Sequence, residues 1–111
     1  MIYVINSFSV AASAGGVVAT KAIEMTRKLL DYQRKKWPER DTVVLRNLTG
    51  DTTRISWVYR VKSLADQEQF EKTFWQDSGV KAITDEWRAA EKEVGAQLLV
   101  QSTHNLMADI E

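Results

Sequence analysis

The sequence predicts an α+β fold, with helices packed on one face of a four-stranded antiparallel sheet. Residues 54–62 carry apolar side chains at every second position, the pattern of a half-buried strand, and a helix start follows at Ser63. Gly50-Asp51 is a turn signal between this strand and an apolar stretch at 42–49, so the two strands are predicted to form a hairpin. Over the whole chain the element order is β-α-β-β-α-β, the ferredoxin-like arrangement.

The first half of the chain supplies one strand and one long helix. Residues 2–10 are rich in β-forming side chains, and residues 11–16 are small and end in two glycines, which predicts a loop. A helix is predicted over 17–36, because apolar residues recur at steps of three and four and Pro38 stops the pattern. The basic run 34–36 complements the dipole at the helix end, and a nucleic-acid patch is the alternative interpretation.

The second half continues with two helices, separated by a break, and the last strand. The break is predicted at 77–79, and a regular apolar stripe predicts a helix over 80–94 that ends at Gly95. Residues 97–103 are centred on Leu-Leu-Val and predict a short final strand. Residues 104–111 are predicted to form a tail.

Length and composition indicate one globular domain, 1–111, with no general preference for charged partners. The chain has 111 residues, of which 44% are hydrophobic, and 15 basic and 15 acidic side chains. A net charge of zero disfavours nucleic acid as a partner, and the short apolar runs predict neither a membrane span nor a signal peptide. The absence of cysteine excludes disulfides and thiolate chemistry and is compatible with a cytoplasmic location.

Two helices cover only one face of a four-stranded sheet, so the other face meets water or a partner. Alternation assigns these residues to the helix side: Tyr3, Ile5, Val43, Leu45, Ile55, Trp57, Tyr59, Val61, Leu98 and Val100. It assigns these to the other side: Ile2, Val4, Asn6, Phe8, Val44, Arg46, Leu48, Ser56, Val58, Arg60, Leu99 and Gln101. Because seven of those twelve are apolar, we expect this second face to pack on another copy of the chain in a homodimer.

The polar residues of that second face form the predicted ligand site. Between two copies, five of them would line an enclosed cavity: Asn6, Arg46, Ser56, Arg60 and Gln101. Arg46 and Arg60 would converge on a carboxylate or phosphate of a small ligand, since guanidinium groups bind both by forked hydrogen bonds. The alternative is that each arginine pairs with an acidic side chain of its own chain, such as Asp51 or Glu68.

Trp57 and His104 are further candidates. Trp57 is interpreted either as a core residue or as a platform on which a flat substrate stacks. His104, the single histidine, needs a carboxylate or carbonyl to fix its tautomer, and a nearby substrate, if it is to act as a general base. The alternative is a surface histidine at a strand end. It has no companion ligands, so no metal site is predicted.

Two segments resemble a known superfamily. Gly50-Asp51 with the aromatic strand 54–60, and the helix start SLADQE at 63–68, are similar to the corresponding stretches of NIPSNAP-like proteins. The element order resembles the dimeric α/β barrel superfamily, which includes those proteins and the antibiotic-biosynthesis monooxygenases. The resemblance extends over the whole chain in element order but over only these segments in motif, so it implies a fold and a homodimer more than an activity.

Some members of that superfamily degrade haem, and this chain resembles them in having an asparagine, Asn6, early in the first strand. Their pattern also has a tryptophan followed, along the second helical segment, by a histidine that binds the iron. Here the residue ten positions after Trp75 is Asp85, so the histidine is missing and no cofactor is expected.

Three functions are compatible with the sequence. The first is a small-molecule-binding homodimer whose ligand is anionic or aromatic. The second is a cofactor-independent, monooxygenase-like enzyme acting on an aromatic small molecule, with Asn6, Trp57 or Arg60 positioning the substrate. The third is a structural protein that binds a partner through the edges of its sheet.

Overall fold

The computed structural model describes residues 1–10 and 16–110, and it has four strands and three helices. In chain order these are β1 (Ile2–Val10), α1 (Gly16–Lys36), β2 (Val43–Arg46), β3 (Arg54–Val61), α2 (Leu64–Gln76), α3 (Ser78–Val94) and β4 (Leu99–Ala108). A 3₁₀ turn at Pro38–Arg40 follows α1. Residues 11–15 of the predicted loop lie outside the described residues.

The strands form one antiparallel sheet in the order β2-β3-β1-β4. The three helices pack on one face of it, so the predicted α+β, ferredoxin-like class is confirmed. None of the helices in the described part of the chain is both long enough and apolar enough to cross a membrane.

Local sequence signals set the ends of α2 and α3. The Ser63 side chain accepts a 3.0 Å hydrogen bond from the backbone N–H of Asp66 and so caps α2. Asp77 caps α3 in the same way through the N–H of Val80, at 3.1 Å, which confirms the predicted break between the helices. Gly95 ends α3 with a φ of 73°, a left-handed conformation that glycine adopts without steric cost.

The last strand is longer than predicted. Residues 104–108, expected to belong to a tail, continue β4 and pair with β1 as far as Ile2. They were missed because β4 is an edge strand with exposed side chains, and it is its backbone pairing with β1 that holds it in place. The β1–β4 register shifts between Ser7 and Ser9, and Gln101 lies at this bulge with a φ of 53°.

The predicted faces are right for β3 but wrong for β1 and β2. The register places Val4 beside Tyr59 and Asn6 beside Trp57, and directly opposed residues share a face. Val4 is completely buried against the helix layer, so Asn6 lies on the helix side too. Val44 of β2 is opposite Trp57 and lies there as well. Both sets of side chains in these strands are rich in apolar residues, so only the pairing register decides which set faces the helices.

The sheet face away from the helices is called the open face below. Its residues are Tyr3, Ile5, Ser7, Val43, Leu45, Ser56, Val58, Arg60, Asn105 and Met107. It is apolar near its centre, where Val43, Val58 and Ile5 lie side by side on adjacent strands. The apolar open face expected from the sequence is therefore present, with a different set of residues.

The core consists of two separate apolar clusters. In the α1–α3 cluster, α1 and α3 pack around Leu98, and in the sheet–α2 cluster, β1 and β3 pack against Phe70 and Leu30. Leu29 of α1 contacts both clusters.

Candidate functional site

A cavity of about 160 Å³ lies between the sheet and the helices. All four strands and all three helices contribute side chains to its wall. Seven of these side chains are aromatic: Phe8, Trp57, Tyr59, Phe70, Phe74, Trp75 and Trp87. Trp75 is 57% exposed although it lines the cavity, so the cavity opens to solvent beside the end of α2.

Asn6 and His104 form a polar pair in this wall. They are direct neighbours across β1 and β4, and Asn6 Oδ1 is hydrogen-bonded to His104 Nδ1. An amide oxygen only accepts hydrogen bonds, so this contact places a proton on Nδ1, and in the neutral imidazole Nε2 is then the nitrogen with the lone pair. Asn6 Nδ2 makes no hydrogen bond to another described side chain, which leaves it free to donate to a ligand.

Gln33 holds Trp57 in the wall from the helix side. It is 1% exposed, and its Oε1 accepts a 3.0 Å hydrogen bond from the indole N–H of Trp57. Its Nε2 donates to the hydroxyl of Thr42 at 2.9 Å. With both ends of the amide occupied, the orientation of the Trp57 ring is fixed by a buried polar chain rather than by packing alone.

Tyr59 presents its ring to the cavity, and its hydroxyl accepts a 3.0 Å hydrogen bond from Gln67 Nε2. Burial raises the pKa of the Tyr59 phenol, the hydrogen bond from Gln67 lowers it, and the negative charge of nearby Glu71 raises it. The net shift is upward, so the phenol stays protonated at neutral pH.

Among the residues that the structure describes, Glu71 is the only acidic side chain in the cavity wall, and no lysine or arginine lines it. Glu71 is exposed, as is Trp75 one turn further along α2, so both belong to the rim. Glu71 forms no salt bridge with any residue that the structure describes.

The predicted site residues divide between this cavity and other surfaces. Asn6, Trp57 and His104 line the cavity together. Ser56 lies on the open face, where its hydroxyl is hydrogen-bonded to that of Ser7 at 2.8 Å. Gln101 lies at the β4 bulge, where its carbonyl accepts a hydrogen bond from the Arg54 guanidinium.

Arg46 and Arg60 do not converge. Arg46 is opposite Ile55 at the end of β2, on the helix side, and Arg60 lies on the open face. Arg60 forms a salt bridge with Asp41, which is the kind of acidic partner considered as the alternative. The prediction that the two arginines converge is wrong, because the register of their strands puts them on opposite sides of the sheet.

Sequence reasoning missed Gln33 and Glu71 as site residues. Gln33 continues the apolar stripe of α1 four residues after Leu29, and a polar residue at such a position was the available signal. Glu71 carried no such signal, because charged residues at a helix surface are common.

The residues present do not fit haem. Asp85, at the position where haem-degrading proteins have their histidine, is exposed on α3 and does not line the cavity. The single histidine is on β4, where Asn6 binds one of its nitrogens. The cavity is also below the range of about 300–1,000 Å³ typical of drug-sized ligands.

Comparisons with known proteins identify the fold. No protein-family model matches the sequence, and the search of curated proteins finds no match. Three solved structures illustrate the similarity. A NIPSNAP family protein from Agrobacterium tumefaciens is 9% identical with a TM-score of 0.74, over 99% of this chain and 86% of that one. A NIPSNAP domain protein from Burkholderia xenovorans is 9% identical with a TM-score of 0.66, over 99% and 95%.

The third is described as a putative antibiotic biosynthesis monooxygenase from Deinococcus radiodurans, 13% identical with a TM-score of 0.59, over 100% of this chain and 94% of that one. At these identities the similarity establishes the fold and not the activity. The described part of this chain therefore has a ferredoxin-like fold, which is similar to the folds of these NIPSNAP and antibiotic-biosynthesis-monooxygenase structures.

Proposed function

We propose that this protein binds a small, single-ring aromatic molecule in the cavity between its sheet and its helices. The observation that carries the proposal is the cavity between the sheet and the helices, whose wall includes seven aromatic side chains. Protein interiors are close-packed, and voids larger than a water molecule are few. An apolar space of this size removes packing energy from the fold, which a bound ligand would restore.

The size and polarity of the cavity define the ligand. An apolar cavity of about 150 Å³ is known to hold one benzene molecule, so about 160 Å³ suits one ring with a small substituent. Asn6 and His104 offer that substituent a hydrogen bond at the sheet. Because no lysine or arginine lines the wall, the aromatic option is favoured over the anionic ligand considered from the sequence.

Calorimetric titration with benzyl alcohol tests the proposal. We expect the wild type to bind benzyl alcohol and Leu29→Trp to bind it much more weakly. Leu29 lines the cavity and contacts both clusters, so a larger ring at this position would occupy the cavity. Ala82→Trp places the same ring on the exposed surface of α3 and should bind like the wild type. Absence of binding by the folded wild type to any single-ring probe would overturn the proposal.

The Asn6–His104 pair favours a second candidate function, cofactor-independent oxidation of a phenol. His104 Nε2 would accept the hydroxyl proton of the phenol, and the electron-rich phenolate would react with dioxygen. The balanced reaction converts one phenol and one O₂ into one quinone and one water, with four electrons passing to O₂ as the ring loses two hydrogens and gains one oxygen. Oxygen uptake with phenols by the wild type, lost in His104→Gln, would support it; no uptake above the uncatalysed rate would exclude it.

The open face supports self-association as part of this function. Its central residues Val43, Val58 and Ile5 are apolar and have no helix over them. A second copy of the chain would remove this surface from water, and contiguous exposed apolar patches usually mark an interface. We propose a homodimer formed through the open face, which leaves the cavity on the opposite side of the sheet free for its ligand.

A further inference from the structure

The charge distribution around the cavity is one-sided. Glu71 is the only acidic residue among the lining side chains, and it has no salt-bridge partner among the described residues. Asn6, Gln33 and Thr26 are neutral, and no lysine or arginine is present in the wall. An anionic ligand would therefore lie unpaired in an apolar space, which is strongly unfavourable.

The rim and the interior are joined by a continuous aromatic wall. Ring centroids are 5.2 Å apart between Tyr59 and Phe70, 6.0 Å between Phe70 and Phe74, and 5.1 Å between Phe74 and Trp75. The wall runs from β3 to the exposed end of α2, one turn from Glu71. Aromatic faces attract cations, and clusters of such rings are the usual way in which proteins bind organic ammonium groups.

One ring of this wall already lies beside a cationic side chain. The guanidinium carbon of Arg40 lies 4.5 Å from the centroid of the Phe70 ring. Asp66 neutralises that arginine with two hydrogen bonds, of 2.6 and 3.0 Å. The charge of Arg40 is thereby compensated, whereas Glu71 is a carboxylate of the cavity wall without a salt-bridge partner among the described residues.

From these three observations we infer that the ligand is a cation: a single-ring or compact organic ammonium whose apolar part fills the aromatic cavity and whose charge meets Glu71 at the rim. This inference rests on the proposed binding function and deepens it by assigning the charge of the ligand. Glu71 acts as the residue that determines this specificity, and the ring wall contributes through cation–π attraction.

Three ligands of one ring size separate the possibilities: benzylamine, benzyl alcohol and benzoate, which at pH 7 are cationic, neutral and anionic. We expect benzylamine to bind at least about tenfold more tightly than benzyl alcohol, and benzoate to bind most weakly. Glu71→Gln should remove the advantage of benzylamine, so that benzylamine and benzyl alcohol bind this variant with similar affinity. The matched control is Glu68→Gln, which removes an exposed carboxylate from the same helix but not from the cavity wall.

Each result decides a different claim. Benzyl alcohol binding as tightly as benzylamine would overturn the cation inference and leave the proposed binding function intact. A benzylamine preference that survives Glu71→Gln, or is lost equally in Glu68→Gln, would also overturn it, since Glu71 would not be its cause. Failure of all three ligands to bind the folded wild type would remove the proposed function itself.

Discussion

Asn6 and His104 are 98 positions apart in the sequence, yet they face each other across β1 and β4 with a hydrogen bond between Oδ1 and Nδ1. The contact supplies the carbonyl that a general-base histidine requires. It exists because the strand pairing continues beyond residue 103, where the sequence predicted a tail.

The first prediction concerns the tautomer of His104. Neutral His104 should carry its proton on Nδ1 in the wild type, because the Asn6 oxygen accepts from that nitrogen. Asn6→Leu removes the acceptor and should shift the population toward the Nε2–H form. Since His104 is the only histidine, its ¹⁵N and ¹³C ring shifts can be read without ambiguity. A wild-type ring protonated mainly on Nε2 would contradict the arrangement.

The second prediction concerns Gly79 at the start of α3. A methyl group at Gly79 would overlap the hydroxyl end of Tyr32, which is held in place by a 2.5 Å hydrogen bond to Asp77. Gly79→Ala should therefore lower the free energy of unfolding by about 1–3 kcal/mol. In a Tyr32→Ala background the overlap is gone, and the same change should stabilise by roughly 0.5 kcal/mol through helix propensity.

A double-mutant cycle by urea unfolding measures this change of sign. Equal effects of Gly79→Ala in both backgrounds would show that Tyr32 does not restrict the position.

The sequence predicted the fold more fully than the site. Caps and breaks at Ser63, Asp77 and Gly95 are local chemistry, and all three are where the sequence placed them. The face on which Asn6 lies depends on its pairing with Trp57. When a strand has apolar residues on both sides, its sequence does not show which side faces the helices. The cavity depends on how α1, α2 and α3 pack together on the sheet. This is a tertiary property, so no single segment of the sequence predicts it.

The third prediction concerns pH. The hydrogen bonds from Arg40 and from the backbone N–H of Lys62 hold the pKa of Asp66 at about 2, below its ordinary value of 3.8. A carboxyl group whose pKa is lowered in the folded state stabilises it above the unfolded pKa, and that stability is lost as the pH falls from about 4 to about 2.

Asp66→Asn should therefore lose less unfolding free energy than the wild type as the pH falls through that window. After solvent screening, we expect the difference between the two losses to be roughly 1 kcal/mol. Denaturant unfolding at several pH values between 2 and 7 gives the measurement. Asp85→Asn, at an exposed aspartate without a salt bridge in the described chain, is the control. Identical slopes for wild type and Asp66→Asn would show that the Arg40 contact does not survive in solution.

The fourth prediction concerns Gln33. Gln33→Met keeps the approximate volume but leaves the Trp57 N–H and the Thr42 hydroxyl without their partner. A buried donor without an acceptor costs about 1–3 kcal/mol, so unfolding in urea should occur at correspondingly lower concentration. Gln69→Met changes an exposed glutamine of α2 and should alter stability by less than about 0.5 kcal/mol. A Gln33→Met protein as stable as the wild type would mean that Trp57 is held by packing alone.

The last prediction concerns the open face. Val58 lies between Ile5 and Val43 at its apolar centre, on the side of the sheet that carries no helix. If two copies pack through this face, Val58→Lys places an unpaired ammonium group in the interface. The free-energy cost of burying this charge exceeds the stabilisation that the surrounding apolar contacts provide. We expect the wild type to sediment as a dimer at micromolar concentration and Val58→Lys to sediment as a monomer. Circular dichroism checks that the variant is folded.

Ala82→Lys adds the same charge to the exposed surface of α3 and should remain dimeric, which separates the position of the charge from its mere presence. A wild type that sediments as a monomer would remove the open face as an interface. It would not affect the cavity, because ligand binding depends on side chains that point to the opposite side of the sheet. Benzyl alcohol titrated into Val58→Lys should therefore bind with wild-type affinity, which makes the two halves of the proposal independently testable.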